Sequence, residues 1–400
     1  MKILSRISYR HLLSHHTFSF ISFSTFLSIA GLSIGVASLI IVSTITNGFN
    51  YEVNKKLSNI DGHVRIDNYL NGKMDFNEFS YLSSYLDTST LLTSYTPYIE
   101  KHAFIKQGDK SEGILIYGVK PSSLNKIFNI DDFANNKVGF NDHNSIIIGE
   151  KLALMFNVGI GDDLILFDMG GEGLFAQKFK VSNIFKTEFP EYDKILAFMD
   201  IEKAQIFFNM DNFLSGLIFN LHDPLHCEAI IKKIEKDIGH FPYSLTTWKD
   251  RHYSLLEWLK VYDVPIKIII IFIMLIGLFN IAASLWMIVV EKTSDYALLR
   301  SLGLPSSKIQ NIILYQGLAV GVLGSFFGLI IALLLLFIQN TFNVISIPSD
   351  IYFMSSLPIK FELSHFLLYP FFAITISCLC SYAPSLSVLR FNISKIMRYE

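Results

Sequence analysis

Four long stretches of the sequence contain no charged residue, and they constrain the fold more than any other feature. They run over Phe18–Thr46, Ile268–Val290, Ile309–Phe342 and Phe366–Leu389. Each exceeds the roughly 20 residues that an α-helix needs to cross a hydrocarbon core. A buried helix of a soluble protein can imitate one such stretch, but not four of this length. The sequence therefore predicts four membrane-spanning helices.

Lysine and arginine residues near the ends of these stretches predict how the chain crosses the membrane. They occur in residues 1–17, 291–308 and 390–400, whereas the loop between the last two stretches carries Lys360 alone. Because cytoplasmic loops are enriched in Lys and Arg, both termini and the 291–308 loop are expected in the cytoplasm. The predicted segments are a cytoplasmic tail (1–17), a first span (18–46), an extracytoplasmic domain (47–264), a second span (265–290), a cytoplasmic loop (291–308), a third span (309–342), an extracytoplasmic loop (343–365), a fourth span (366–389) and a cytoplasmic tail (390–400).

The segment from 47 to 264 is expected to form a large mixed α/β domain outside the cytoplasm. It holds 22 Lys and Arg against 30 Asp and Glu, an acidic balance that excludes a nucleic-acid surface and suits a basic soluble partner. Alternating apolar runs predict strands over Tyr98–Ile105, Gly113–Val119, Ser145–Ile148, Leu164–Phe167, Ala176–Ile184, Ile195–Met199 and Leu217–Leu221. Helices are predicted over Glu150–Phe156, Ile201–Phe208, Asp223–Ile238 and Thr247–Asp263. The fold class is thus an α-helical membrane protein with a 1+3 arrangement of spans around this domain.

A short charged segment, Glu291–Pro305, separates the second and third stretches. It contains good helix formers, with Asp295 in its first predicted turn and Arg300 in its last, where each charge complements the helix dipole. Gly303 and Pro305 are expected to end the helix. A short amphipathic helix held between two membrane helices is suited to receive force from a soluble partner.

Small and polar residues inside the stretches predict contacts between helices. The third stretch has four glycines on one face, and the first has a GxxxG pair. Such a face can form a sliding or dimer contact, or it can pack statically inside one chain. The sequence does not decide between these two interpretations. A single amide in the second stretch is expected to join two helices. The predicted contact residues are Gly31, Gly35, Asn280, Gly317, Gly321, Gly324 and Gly328.

Sequence motifs of enzymes are missing. The chain has no G-x-x-x-x-G-K-[ST], HExxH, CxxC or G-x-S-x-G motif, so we predict neither catalytic residues nor a metal site nor a bound cofactor. One glycine-rich turn lies between two predicted strands, at Met169, Gly170, Gly171, Glu172 and Gly173. It is either a plain hairpin tip or a flexible loop that contacts a partner.

The chain resembles the permease subunits of the lipoprotein-releasing ABC transporter, the LolC/LolE type within the MacB/FtsX-like permease superfamily. The resemblance runs along most of the sequence. Its most specific part is Glu291-Lys292 followed by Ala297, Arg300 and Gly303. The other residues that carry it are Ile7–Arg10, Gly31–Ala37, Thr46–Phe49, Ile148–Ala153, Val158–Asp162, Trp248, Arg251, Phe279–Ile281, Ser284, Leu285, Ile309, Gln316, Gly317 and Arg398–Glu400.

This resemblance implies a multi-pass protein of the bacterial inner membrane that works without an ATPase of its own. ATP and Mg²⁺ would be bound by a separate LolD-like subunit, and a second permease chain would complete a homodimer or heterodimer. The implied function is to extract lipoproteins from the membrane and pass them to a periplasmic LolA-like chaperone. The 164–184 hairpin would contact that chaperone, although its tip is shorter than the family's hook. The implied ATPase-coupling residues are Glu291, Lys292, Asp295, Ala297, Leu298, Arg300 and Gly303.

Other functions remain open at this point. An FtsX-like permease relays ATPase motion to a periplasmic partner without moving lipid, but its outside domain is much smaller. A macrolide-efflux permease carries its ATPase fused at the N-terminus, which residues 1–17 are too short to contain. A membrane-anchored enzyme is disfavoured because no catalytic constellation is found.

Overall fold

A computed structural model describes residues 20–69, 72–87, 92–134, 139–140, 144–168, 170, 175–224, 227–238, 242–348 and 352–387. These residues divide into two compact units. The helical unit holds the chain up to Tyr51, Leu259–Ser346 and the chain from Ser356 onward; the α/β unit holds Glu52–Trp258 and Ile347–Ser355.

The helices, in chain order, are α1 (Phe20–Asp61), α2 (Phe76–Asp87), α3 (Leu124–Phe128), α4 (Glu150–Phe156), α5 (Pro190–Ile195), α6 (Ile201–Phe207), α7 (Cys227–Ile238), α8 (Trp248–Arg251), α9 (Tyr253–Glu291), α10 (Thr293–Ser301), α11 (Ser306–Phe342) and α12 (Leu363–Ser387). The strands are β1 (Val64–Asn68), β2 (Met74–Asp75), β3 (Leu92–Gln107), β4 (Lys110–Val119), β5 (Ser145–Gly149), β6 (Asp163–Asp168), β7 (Phe175–Phe185), β8 (Leu196–Asp200), β9 (Phe213–Leu214), β10 (Gly216–Leu221) and β11 (Tyr243–Thr247).

Four of the described helices, α1, α9, α11 and α12, are long and apolar enough to cross a membrane. With 42 residues, α1 is about 63 Å long and far exceeds a core of about 30 Å. It begins in the helical unit and ends in the α/β unit, as α9 does in the opposite direction. Apolar side chains of α1, α9, α11 and α12 meet in one core, at Leu32, Val36, Ala37, Ile40, Ile281, Ile288, Ala332, Leu336 and Ala373.

Nine strands of the α/β unit form one sheet in the order β11-β1-β10-β3-β4-β8-β5-β7-β6. The sheet also closes on itself, because Phe104 and Ile105 of β3 pair with Phe167 and Leu166 of β6. Six strands, from β3 to β6, therefore form a barrel. The β4–β8 and β5–β7 pairings are parallel, and the other pairings are antiparallel.

The barrel fills its interior with alternate side chains of each strand. In β6 the burial alternates along the strand, with Leu164 and Leu166 buried and Ile165 exposed. Inward and outward residues alternate because successive side chains of a strand point to opposite faces. The 16-residue strand β3 belongs to two structures, since its first half pairs with β10 and its second half with β6.

Most boundaries in the α/β unit lie within a few residues of those expected from sequence, but some regions differ. The helix expected from Asp223 is described from Cys227 onward, and residues 225–226 ahead of it lie outside the described residues. The short strands β1 and β11 and the helix α2 were not predicted, because their apolar residues are few and local. Thr247, which was expected as the first residue of a helix, instead ends β11 and caps α8: its side chain accepts from the N–H of Asp250, and the carboxylate of Asp250 accepts from the N–H of Thr247.

Candidate functional site

The predicted coupling segment forms a separate helix, α10, between the two membrane-type helices α9 and α11. Lys292, which precedes α10, makes an ion pair of 2.7 Å with Asp295 in its first turn. The hydroxyl of Thr293 donates to the carbonyl oxygen of Val289 at 2.9 Å. These contacts fix the bend between α9 and α10 locally, within a few residues of the chain.

The end of α10 is a Schellman motif. The N–H of Leu304 donates to the carbonyl of Leu299, and that of Gly303 donates to the carbonyl of Arg300, both at 3.1 Å. Gly303 has a φ of +89°, which side chains with a Cβ rarely adopt. The prediction that Gly303 ends this helix is met by the observed backbone.

One face of α10 is anchored on α11. Tyr296 and Ala297 are 1% and 4% exposed, and Tyr296 packs among apolar side chains of α9 and α11. Its hydroxyl lies 3.4 Å from the Oε1 of Gln316, and burial raises the pKa of this phenol to about 12. The apolar neighbours of Tyr296 are Val289, Leu299, Leu304, Ile309, Ile312 and Ile313.

The opposite face of α10 presents apolar side chains to its surroundings. Leu298 is 54% exposed and Leu302, four residues later, is 77% exposed. Residues four apart lie on the same side of a helix, so the two leucines form one apolar pair. Segment α10 therefore has a buried anchor on one side and an exposed apolar pair on the other.

The glycines of α11 allow two neighbouring helices to approach closely. A Cβ on Gly317 would lie 2.5 Å from the Cβ of Ser381, and one on Gly321 would lie 2.9 Å from the Cβ of Ser377. The hydroxyl of Ser377 donates to the Gly317 carbonyl at 2.6 Å. These contacts join α11 to α12.

The other two glycines of α11 face α1. A Cβ on Gly324 would lie 2.7 Å from Leu32, and one on Gly328 would lie 2.7 Å from the carbonyl oxygen of Ser33. These close contacts join helices of the same chain, which agrees with static packing inside one chain. A contact between two copies of the chain stays a prediction.

In α1, Gly31 and Gly35 differ. A Cβ on Gly31 would overlap the side-chain amide of Asn280 in α9, whereas a Cβ on Gly35 would have no described atom within 4 Å. Asn280 therefore contacts α1, the kind of helix pairing expected of a buried amide. Of the predicted hairpin tip, only Gly170 belongs to the described residues; its N–H donates to Asp168 at 2.9 Å. Met169, Gly171, Glu172 and Gly173 lie outside the described residues.

A buried ionic network, which we call the Asp61 network, was not predicted from the sequence. Asp61, the last residue of α1, binds Arg65 of β1, and its Oδ2 lies 2.5 Å from the Nε of Arg251 in α8. The Nε2 of His252 is 3.2 Å from the same oxygen. Arg251 also donates to the carbonyl oxygens of Asp61 and Gly62. The network thus joins the end of α1 to the residues that precede α9.

Arg65 extends this network into the sheet. Its guanidinium contacts the carboxylate of Glu100 and lies over the rings of Tyr98 and Tyr117, 5.1 and 5.0 Å from their centroids. Burial opposes the charge of Arg65, but the neighbouring Asp61 carboxylate raises its pKa well above the ordinary value. The arginine therefore stays charged inside the unit. Arg251 was noted in the sequence, but the spacing of Asp61 and Arg65 was no signal, because Arg65 lies in β1 and the i, i+4 rule applies only along a helix.

Comparison with known proteins identifies the family. The family model described as MacB-like periplasmic core domain matches residues 25–237, more than half of the chain, and that described as FtsX-like permease C-terminal matches residues 267–393. A lipoprotein-releasing system transmembrane protein LolC of Xylella fastidiosa is 26% identical over 98% of both chains. The chain belongs to the LolC/LolE family of the MacB/FtsX-like permease superfamily.

Other members of the LolC/LolE family match over similar lengths. The LolC protein of Neisseria meningitidis is 26% identical and covers 98% of both chains. The LolE protein of Haemophilus influenzae is 24% identical and covers 90% of both. The family expected from the residues is therefore confirmed, and the chain is a multi-pass membrane permease with an extracytoplasmic domain.

Proposed function

We propose that this chain is the permease subunit of an ABC transporter that extracts lipoproteins from the inner membrane and passes them to a periplasmic chaperone. A separate LolD-like subunit would hydrolyse ATP with its Mg²⁺, and a second permease chain would complete the transporter. The single observation that carries this proposal is α10, a helix with a buried anchor and an exposed apolar pair, in a chain of the LolC/LolE family.

The proposed topology places α10 on the cytoplasmic side and the α/β unit in the periplasm. The distribution of Lys and Arg supports this 1+3 arrangement, with both termini in the cytoplasm. The coupling contact is assigned to the exposed pair Leu298 and Leu302, together with the charged residues Lys292, Asp295 and Arg300 around it. Because Tyr296 anchors α10 on α11, a displacement of α10 is passed to α11 rather than absorbed by a loose loop.

The Asp61 network supports a mechanical role for the α/β unit. It ties the last residue of α1 to Arg251, just ahead of α9, inside that unit. Movements of these two helices would therefore reach the sheet through buried charged contacts, with Arg65 extending them to β3 and β4. In this proposal the α/β unit is the output that meets the chaperone.

The chemistry of the cargo favours a direct hand-over. Burial of acyl chain is worth about 0.8 kcal/mol per CH₂, so three chains of about 15 carbons would cost on the order of 30 kcal/mol to expose to water. A nucleotide cycle should therefore pass the acyl chains between sheltered sites rather than expel them. A periplasmic carrier is the partner that this cost requires.

The deciding experiment is reconstitution. We expect proteoliposomes that contain this chain, a LolD-like ATPase and a fluorescent triacylated lipoprotein to release the lipoprotein to a LolA-like chaperone only when ATP is present. Retention of all lipoprotein while ATP is hydrolysed would contradict transport.

The role of α10 is tested in the same vesicles with Leu298→Asp/Leu302→Asp. Both side chains are exposed, so this variant should fold and yet lose ATPase binding and release by more than 10-fold. Ser307→Asp adds a negative charge at an exposed position at the start of α11 and should leave both unchanged. Normal ATPase binding by the double variant would show that the coupling surface lies elsewhere.

An FtsX-like function is the alternative, in which the chain relays ATPase motion to a periplasmic partner without moving lipid. The match of residues 267–393 to the FtsX-like permease C-terminal model favours keeping it. ATP hydrolysis that is stimulated by a periplasmic partner, without any lipoprotein release, would support this alternative.

A further inference from the structure

Lys56, near the end of α1, joins two segments that are far apart in the sequence. Its ammonium donates to the carboxylate of Glu188 and, at 3.0 Å, to the carbonyl oxygen of Phe353. The Lys56 side chain is only 14% exposed, so both hydrogen bonds are largely shielded from water. We call these two contacts the Lys56 clasp, and the described residues between 347 and 355 (Ile347, Pro348 and Tyr352–Ser355) the strap. All of these residues belong to the α/β unit.

Both partners of Lys56 hold a left-handed backbone. Glu188 has a φ of +63° and Phe353 a φ of +61°. This region is unfavourable for residues with a bulky side chain, whereas Asn and Asp tolerate it. Among the described residues, the remaining non-glycine residues of positive φ are all Asn or Asp: Asn129, Asn157, Asn209, Asp211 and Asn343. The two bulky exceptions therefore meet at one lysine.

The backbone of Glu188 is held from its two sides. Thr187 donates its N–H and its hydroxyl to the same oxygen of Asp193, at 2.8 and 2.7 Å. The N–H of Phe189 donates to the Thr187 hydroxyl at 3.1 Å. Strain of this kind persists only where surrounding contacts enforce it, and such places often have a function.

An aromatic contact also holds the strap to the same turn. The ring of Phe353 stacks on that of Phe189 with centroids 4.6 Å apart and an interplanar angle of 16°. Met354 beside it is 3% exposed. The described ends of the strap also bond to each other, since the N–H of Ile347 donates to the carbonyl of Ser355 at 3.3 Å. The strap is thus attached through the contacts of Phe353 with Lys56 and Phe189, and Met354 beside them is buried.

The strap lies between α11 and α12 in the chain, so a displacement of either helix pulls on it. Release from Lys56 would free the carbonyl of Phe353 and let that residue return to an ordinary backbone conformation, which favours opening. A contact that joins three chain segments through one cation, with two of them under strain, is suited to switch between two states.

We propose that the Lys56 clasp is a releasable latch, closed in one nucleotide state of the transporter and open in another. This inference rests on the proposed function only because an ATPase must drive the cycle. While the latch is closed, displacements of α11 and α12 reach the turn at 187–193 through the strap. Once it opens, the strap moves independently of that turn.

Labelling of a buried cysteine tests the latch without any lipoprotein. Met354→Cys is placed in a chain whose three native cysteines, Cys227, Cys378 and Cys380, are changed to serine. The complex with a LolD-like ATPase is held in lipid nanodiscs and treated with a charged maleimide. We expect the labelling rate of position 354 to rise at least 10-fold in one of three states: without nucleotide, with ATP, or trapped with ATP and vanadate.

Two variants in this cysteine background supply the controls. Lys56→Met removes both hydrogen bonds and should raise the labelling rate at least 10-fold, even in the chain without its ATPase. Lys55→Met changes the exposed neighbouring lysine and should leave the rate unchanged. Slow labelling of Lys56→Met would overturn the latch, because the strap would then be held without the clasp.

The outcome separates this inference from the proposed function. Equal protection of position 354 in every nucleotide state, while ATP is hydrolysed, would overturn the latch even if lipoprotein is released. Nucleotide-dependent labelling in a complex that retains all lipoprotein would support the latch and contradict transport.

Discussion

Segment α10 and the Asp61 network are both fixed by buried side chains, but by opposite kinds of interaction. Tyr296 holds α10 through apolar packing against α9 and α11. Asp61 holds the end of α1 through ion pairs with Arg65 and Arg251 that are almost fully buried. An apolar anchor weakens in proportion to the volume removed, whereas a buried ion pair fails when one partner is lost, because the other charge stays unpaired. The two regions should therefore respond differently to small substitutions.

The largest effect is expected from Asp61→Asn, which keeps the size of the side chain and removes its charge. Arg65 and Arg251 would then be left partly unpaired in a buried site, so the α/β unit should lose about 3–5 kcal/mol of unfolding free energy. Urea unfolding of the full chain in nanodiscs measures this through the fluorescence of Trp248, which is 1% exposed. Trp258 and Trp286 are changed to Phe so that only Trp248 reports.

The matched control for this substitution is Asp163→Asn. Asp163 pairs with Lys178, but the two side chains are 44% and 66% exposed. An exposed pair is worth less than about 1 kcal/mol, so this variant should be nearly neutral. If both substitutions lowered the unfolding free energy equally, burial of the Asp61 ion pairs would not explain the effect of Asp61→Asn.

A smaller loss is expected at the apolar anchor. Tyr296→Ala removes a buried ring and should cost about 3 kcal/mol of local stability, since large-to-alanine changes in packed cores cost about 3–5 kcal/mol and this site can partly collapse. Tyr296→Phe keeps the ring and loses only the 3.4 Å contact with Gln316, so it should cost less than about 1 kcal/mol. Hydrogen exchange of the α10 amides compares the two variants. An equal rise in exchange for both would assign the anchor to the hydroxyl instead of the ring.

A region could be predicted from the sequence when the residues that determine it lie close together in the chain. The end of α10 is determined by Gly303 and by carbonyls within five residues of Leu304, so a short window of sequence contains all the information. The Asp61 network depends on Arg251, which is 190 residues away in the chain. No periodicity or composition brings those two residues together; the antiparallel pairing of β1 with β11 does. For the same reason the Lys56 clasp, whose partners come from three distant segments, had no signal in the sequence.

The unfolding free energy of the α/β unit should also depend on pH, because His63 is buried there and feels the charge of Arg251 in the Asp61 network. Burial, followed by the charge of Arg251, lowers the pKa of His63 to about 4, and the N–H of Leu221 donates to its Nδ1 at 2.9 Å. The folded state thus favours neutral His63, while the unfolded chain takes up a proton near pH 6.5. Above pH 6.5, neutral His63 makes its full contribution to the unfolding free energy. This contribution decreases as the pH falls towards 4, and about 2 kcal/mol of it is lost at pH 5.

The variant His63→Asn isolates this contribution. Its side-chain oxygen can accept the Leu221 N–H but does not titrate in this range. Between pH 7 and pH 5, the wild-type chain should lose about 2 kcal/mol more unfolding free energy than the variant does. Parallel pH profiles of the two proteins would show that His63 is not held neutral.

The smallest effect is expected at the end of α10, where apolar anchoring and backbone geometry can be separated. Gly303→Ala places a Cβ on a residue with φ +89°, which should cost about 1–2 kcal/mol. No described atom lies within 4 Å of that Cβ, so the cost comes from the backbone alone. Gly303→Asn should recover part of it, because Asn tolerates the left-handed region. If α10 is positioned by Tyr296 rather than by its end, Gly303→Ala should leave ATPase binding within about twofold while hydrogen exchange rises at residues 302–304. A larger loss of binding would show that the Schellman turn itself sets the orientation of the leucine pair.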